Sequence, residues 1–61
     1  MDPEATLQKL RRLSQRIMTA VDNGEAPDPD AATQLAEHVQ ALDEWLDGGG
    51  FLPESWAITR Q

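Results

Sequence analysis

Apolar residues recur every three or four positions in the N-terminal part of the chain. At about 100° per residue, this spacing places them along one side of an α-helix. Asp2-Pro3 has the chemistry of a helix start, and Asn23-Gly24 supplies the left-handed residue that ends one. The pattern therefore predicts a helix at about 3–22. Its apolar stripe comprises Leu7, Leu10, Leu13 or Ser14, Ile17 and Val21.

A second amphipathic segment follows a short connection that contains Pro27. Asp28-Pro29 repeats the start of the first helix, and Gly48 is the expected C-terminal cap. Two long helices with a short connection pack as antiparallel neighbours. The predicted fold class is therefore all-α: a two-helix hairpin, at about 3–22 and 29–47, with an aromatic C-terminal tail, in a single domain over 1–61. The stripe predicted for the second helix is Ala32, Leu35, Val39, Leu42 and Leu46.

Such a hairpin is too small to cover all of its apolar surface by itself. A chain of 61 residues buries only about 60% of the surface that its unfolded form exposes. It contains no Cys, so a disulfide cannot stabilise it. We therefore predict that the chain associates with itself, as a dimer that forms a four-helix bundle or as a higher oligomer. The apolar residues that flank the two stripes are Met18, Ala20, Ala36, Ala41 and Trp45.

The charges divide between the two predicted helices. The net charge is −6, which argues against a nucleic-acid partner, since nucleic-acid binders normally present a basic surface. Charged residues between Gln8 and Val21 are all basic, whereas those between Asp22 and Ile58 are all acidic. We predict that the bases pair with acids of the second helix or of a partner protein. Arg12 and Arg16 are therefore candidate protein-contact residues.

No set of residues has the spacing of a catalytic or metal site. His38 is the only histidine, and we expect it to pack at the core boundary rather than to act as a ligand or base. An acidic cluster, Asp43, Glu44 and Asp47, is expected to be solvated, although a cation or a basic partner is the alternative. No second His or Cys completes a metal set. The sequence predicts a protein that is not an enzyme and has no cofactor.

The three aromatic residues all lie within twelve consecutive residues, around the glycines at 48–50. A reversal at these glycines would place Phe51 beside Trp45 over the end of the hairpin. We predict one aromatic cluster that closes the core, anchored by Trp56, with Ile58 returning along the groove. An exposed arm that a partner protein buries is the alternative. The candidate interaction residues of this segment are Trp45, Phe51, Leu52 and Trp56.

Neither a membrane span nor a secretion signal is expected. The apolar runs are far too short to cross a bilayer. The first ten residues, MDPEATLQKL, lack the apolar segment of a signal peptide. These features predict that the protein has no membrane partner.

The run LDEWLDGGGFLPESW, residues 42–56, resembles a C-terminal signature of small proteins from actinobacteria and their phages, approximately LDxWLxxGGFLPxxW. The resemblance implies a cytoplasmic bacterial or phage setting and carries no catalytic residues. The expected function is a small non-catalytic protein–protein interaction module, for example a phage or bacterial regulator of a cellular protein. The alternative is a nucleic-acid-linked role, either as an acidic DNA mimic or as a small subunit that uses the basic face of helix one.

Overall fold

Two antiparallel helices and a short 3-10 helix make up the protein in a computed structural model that describes residues 1–57. Helix α1 spans Pro3–Asp22 and helix α2 spans Pro29–Asp47, the ranges that the sequence pattern predicts. The 3-10 helix spans Glu54–Trp56. Helices α1 and α2 pack against each other, and residues 1–57 contain no strand. The predicted all-α hairpin is confirmed, whereas its association into a four-helix bundle stays a prediction.

An aspartate caps the N-terminus of each helix. The Asp2 carboxylate accepts hydrogen bonds from the backbone N–H groups of Glu4 and Ala5, at 3.1 and 3.3 Å. The Asp28 carboxylate accepts one from the N–H of Asp30 at 3.0 Å. These N–H groups have no partner within the helix, so each cap satisfies donors that would otherwise need water.

Helix α1 ends in a left-handed glycine turn. The N–H of Gly24 donates to the carbonyl of Val21 at 3.0 Å, and the N–H of Glu25 donates to that of Ala20 at 2.8 Å. This pair of bonds requires a left-handed residue between Asn23 and Glu25. Gly24 supplies it with φ of 74°, which confirms the predicted positive φ.

The same motif ends helix α2, and its left-handed glycine lies one residue beyond the predicted cap. Gly48 is the cap residue, as predicted, but its φ is −80°. The left-handed residue is Gly49, with φ of 92°. Its N–H donates to the carbonyl of Leu46 at 3.1 Å, and that of Gly50 donates to Trp45 at 2.8 Å. The chain therefore reverses directly over the last turn of α2.

The buried side of α1 follows the predicted stripe except at its C-terminal end. Leu7 and Leu13 are buried, and Leu10 and Ile17 are half-buried. Val21 is 53% exposed, so its assignment to the stripe was wrong. The half-buried Ala20 takes its place on the buried side of α1.

The buried side of α2 is rotated by part of a turn from the predicted one. Ala32 and Val39 are exposed, Val39 by 50%, so their assignment to the stripe was wrong. Ala31 and Leu42 are the buried residues of this helix. The residues of α2 that are half-buried are Leu35, His38, Trp45 and Leu46.

Two overlapping stripes on α2 have the same three-and-four spacing, so the spacing alone does not select between them. Both contain Leu35 and Leu42, but one also contains Val39 and the other Trp45. The indole N–H of Trp45 donates to the carbonyl of Phe51 at 2.9 Å. This bond, together with the burial of Ala31 near the connection, favours the second stripe.

The molecule is thin, with extents of 39 × 27 × 15 Å. Its smallest dimension is little more than the diameter of one helix with side chains, about 10–12 Å. The core is correspondingly small. No helix in the described part of the chain is both long and apolar enough to cross a membrane. The buried residues are Pro3, Leu7, Leu13, Ala31, Leu42 and Pro53.

Candidate protein-interaction surface

The C-terminal tail, which we define as residues 50–57, folds back over the open end of the hairpin. Its 3-10 helix contacts α1. Pro53, which precedes that helix, is less than 2% exposed, as is Pro3 at the start of α1. Pro53 is the residue that precedes the first turn of this 3-10 helix. Burial of Pro53 fixes the tail where the two helix ends meet.

A carboxylate on α1 holds the tail through two hydrogen bonds, which we call the Glu4–Ser55 clamp. The backbone N–H of Ser55 donates to Oε1 of Glu4, and the Ser55 hydroxyl donates to Oε2, each at 2.9 Å. Gln8 also donates to Oε2, at 2.6 Å. The N–H groups at the start of a helix have no internal partner, so an acceptor from α1 satisfies one of them.

The sequence contained a signal for this clamp that was not used. In an antiparallel hairpin, residue 4 lies beside the segment that follows residue 47. A helical turn after Pro53 needs an acceptor for its first N–H groups. Glu4 has no base three or four positions later on α1, so its carboxylate is available to a distant donor.

The same bonds lower the pKa of the Glu4 carboxyl from its ordinary value of 4.5. The largest cause is the Gln8 side chain, followed by the backbone N–H and the hydroxyl of Ser55. Each donor favours the ionised carboxylate. The folded pKa is therefore below the unfolded one. The stabilisation from these bonds is fully present above the unfolded pKa and is lost as the pH falls through the folded pKa.

We therefore expect acid to release the tail before it melts the helices. The Ser55 amide resonance should titrate at a pH below the ordinary Glu4 pKa of 4.5, and Glu4→Gln should abolish this transition. Glu37→Gln removes an acid from the exposed surface of α2 and should leave the transition in place. An unchanged Ser55 titration in Glu4→Gln would contradict the clamp.

Trp45 and Phe51 form the predicted aromatic pair. Their ring centroids are 5.3 Å apart with an interplanar angle of 88°, an edge-to-face arrangement. Such pairs contribute about 0.5–1.5 kcal/mol beyond their area burial. The backbone of Gly50 lies directly against the Trp45 indole, where a side chain would overlap the ring. The first half of the tail is thus packed by its own sequence neighbours.

Trp56 is not the buried anchor that the sequence predicted. It is 47% exposed, and within residues 1–57 the aromatic rings that pair are those of Trp45 and Phe51. In a 3-10 helix, successive residues point about 120° apart, so fixing Ser55 towards Glu4 turns Trp56 outward. Pro53 and Ser55 hold the tail instead. The predicted return of Ile58 along the groove lies outside the described residues.

A group of exposed apolar side chains therefore projects from a tethered backbone. We call it the tail surface and define it as Phe51, Leu52 and Trp56, which are 67%, 48% and 47% exposed. These three are predicted interaction residues that reach solvent. Trp45, the fourth predicted residue of this segment, is half-buried and packs against Phe51.

Arg12 and Arg16 lie apart from the tail surface, along the groove between the two helices. Arg16 is 3.7 Å from the carboxylate of Asp28, and both side chains are largely exposed. This contact is the one ion pair in the part of the chain that the structure describes. Of the predicted pairing between basic and acidic helices, the described residues show this one contact, with the cap residue of α2. An exposed pair of this kind contributes only about 0–1 kcal/mol to stability.

His38 lies on the wall of the same groove, near Leu13 and Gln34. It is half-buried, in the boundary position that the sequence predicted. Across residues 1–57, no three or more His, Asp or Glu side chains converge in a way that could hold a metal ion.

Comparison of the chain with protein-family models, with curated proteins and with solved structures finds no match. The resemblance of residues 42–56 to an actinobacterial and phage signature therefore stays a prediction. Function has to be inferred from the chemistry of the tail surface and of the interhelical groove.

Proposed function

We propose that this protein is a non-catalytic interaction module that binds another protein through its tail surface. The observation that carries the proposal is the exposure of Phe51, Leu52 and Trp56 on a backbone that is held at both ends. A single exposed apolar residue is ordinary, but adjacent large ones on a small domain are typical of a contact site.

The tethered backbone makes this surface suited to binding. Association has a cost in ordering flexible segments. Here the Glu4–Ser55 clamp and the Trp45–Phe51 pair fix the segment beforehand. Trp is among the residues most enriched at the energetic centres of interfaces. We therefore assign Trp56 the central position in the contact, with Phe51 and Leu52 beside it.

In the bacterial or phage cytoplasm that the resemblance implies, the partner we propose is a cellular protein that this module regulates. A nucleic-acid-linked role remains the alternative. The net charge of −6 suits an acidic DNA mimic better than a DNA binder, since a DNA binder must neutralise phosphates.

The test uses the full chain as bait in an actinobacterial lysate and compares Trp56→Ala with Gln40→Ala. Both side chains are exposed, but only Trp56 belongs to the tail surface. We expect a partner that the wild type and Gln40→Ala retain and Trp56→Ala loses. With the purified pair, Trp56→Ala should weaken binding by at least about 2 kcal/mol, as at other interface hot spots.

Equal retention by both variants would contradict the assignment of the contact to the tail surface. Circular dichroism of the Trp56→Ala variant provides the folding control. Because Trp56 is half exposed and the described bonds of the tail do not involve its ring, we expect the helices to remain intact.

A second candidate, self-association, is favoured by an apolar strip outside the tail. Met18 and Val21 on α1 are 56% and 53% exposed, and Val39 on α2 is 50% exposed. On each helix, these residues and Ala32 lie to one side of the buried stripe, and the rotation about the helix axis from the stripe to them has the same direction on α1 and α2. On two antiparallel helices, that displacement places them on one side of the hairpin. A second copy would cover this strip in a four-helix bundle.

Sedimentation tests the bundle. The wild-type chain should sediment at twice its mass of 6.8 kDa, and Val39→Glu should shift it to the monomer, because a charge at a buried interface is costly. Thr33→Glu adds the same charge at another exposed position of α2 and should leave the dimer intact. A wild-type monomer at micromolar concentration would rule out the bundle.

A further inference from the structure

We propose that the groove between α1 and α2 binds an acidic, amphipathic segment of a partner protein. Two neighbouring hollows of about 660 and 340 Å³ form this groove, and both are bordered by Arg12 and Arg16. We call them together the basic groove. It is distinct from the tail surface, none of whose residues borders it.

The walls and floor of the basic groove differ in chemistry. Lys9, Arg12 and Arg16 supply positive charge along its α1 side. Gln34 and His38 supply hydrogen-bonding groups on its α2 side. The floor is apolar and buried or half-buried, with the residues Leu13, Ile17, Ala20 and Ala31. Such a groove accommodates an apolar side chain below and carboxylates above.

The positive charge of the smaller hollow is largely uncompensated by the rest of the described chain. Within residues 1–57, Arg16 has the one ion pair, a 3.7 Å contact between exposed groups. Lys9 and Arg12 have no carboxylate within bonding distance in that part of the molecule. Glu25 and Asp28 border only the larger hollow, towards the connection. A carboxylate ligand would therefore meet its complement beside Lys9 and Arg12.

Charge and shape favour an acidic peptide over a nucleic acid. A chain with a net charge of −6 repels a long polyanion, whereas a short acidic segment engages only the local field of the groove. Single-stranded nucleic acids bind where bases stack on aromatic rings. Within residues 1–57, no Phe or Trp borders the basic groove, and its one ring is the half-buried His38 imidazole. An aliphatic floor instead suits a leucine-like side chain of a protein segment.

The probe is a fluorescein-labelled synthetic peptide of Glu-Glu-Leu repeats, used with the full chain in anisotropy titrations. Two matched peptides carry Gln in place of Glu, or Gly in place of Leu, and a labelled single-stranded oligonucleotide provides the polyanion comparison. We expect the Glu-Glu-Leu peptide to bind most tightly and to shift the amide resonances of Gln34 and His38. Its affinity should fall as salt is raised, because exposed charges are screened.

Arg12→Gln should weaken binding of that peptide by about tenfold, the effect of losing a charge-assisted contact worth about 1.4 kcal/mol. Arg11→Gln is the matched control, because it removes the same charge from the adjacent position, which does not border the groove. Equal losses in the two variants, tighter binding of the oligonucleotide at physiological salt, or no peptide binding would each overturn the proposal. So would a loss in Trp56→Ala that Arg12→Gln does not show, since the peptide would then occupy the tail surface.

Discussion

Leu42→Ala is expected to unfold most of the protein at room temperature. Leu42 is 4% exposed and is one of only two buried residues on α2. Removing a buried leucine side chain costs about 2–5 kcal/mol, because the apolar contacts are lost and a cavity remains. Domains of this size rarely have more than about 3–5 kcal/mol of stability from a single core. The loss therefore approaches the whole free energy of unfolding.

Val39→Ala provides the matched comparison on the same helix. Its side chain is 50% exposed, so we expect a loss of no more than about 0.5 kcal/mol, as for other surface substitutions. Urea unfolding followed by circular dichroism, at a concentration low enough to exclude association, measures both variants. Equal losses would show that Val39 faces α1 and that the rotation of α2 described above is wrong.

These two residues also show how far the sequence determines the fold. The start and end residues and the apolar period were sufficient to place both helices at the observed ranges. They were not sufficient to orient α2 about its axis, because Val39 and His38 both continue a three-and-four spacing from Leu35 and Leu42. The bond from Trp45 to Phe51 and the burial of Ala31 favour His38 over Val39, and the apolar period of α2 by itself contains no information about either.

Gly50→Ala is expected to detach the first half of the tail. A methyl group at this position would overlap the ring of Trp45, in particular Cδ1, Nε1 and Cε2. Overpacking of this kind costs about 1–3 kcal/mol. The ring has little room to move, because its N–H is bonded to the Phe51 carbonyl and it packs edge-to-face with the Phe51 ring. Relief of the overlap therefore breaks the Trp45–Phe51 pair.

Trp45 fluorescence in a Trp56→Phe background measures this detachment, as a red shift and increased quenching by acrylamide. Gly48→Ala is the control from the same glycine run. Its φ of −80° suits any residue, and a methyl there would lie 3.3 Å from the Glu44 carbonyl oxygen, which a small shift relieves. If Gly48→Ala loosened the tail as much as Gly50→Ala, the close approach to Trp45 would not be the cause.

The candidate site was predictable only where its parts are neighbours in sequence. Trp45 and Phe51 are six residues apart and are joined by glycines, so their pairing followed from a local reversal. Glu4 and Ser55 are 51 positions apart, and their contact depends on the register of the whole hairpin. The outward direction of Trp56 depends on that distant contact. The sequence pattern near Trp56 therefore led to the wrong prediction that its side chain is buried.

The Glu4–Ser55 clamp also sets an order of events during folding. Closing a chain segment has an entropic cost that grows with its length, so the connection at 23–28 brings α1 and α2 together long before residues 4 and 55 can meet. The clamp is then the last contact to form and the first to open. Hydrogen exchange should show this order as a difference in amide protection. The Ser55 amide should exchange through frequent local opening, whereas the amides around Leu13 and Leu42 should exchange through global unfolding alone. The tail surface thus has its own opening equilibrium, which a partner that binds the closed form would shift towards closure.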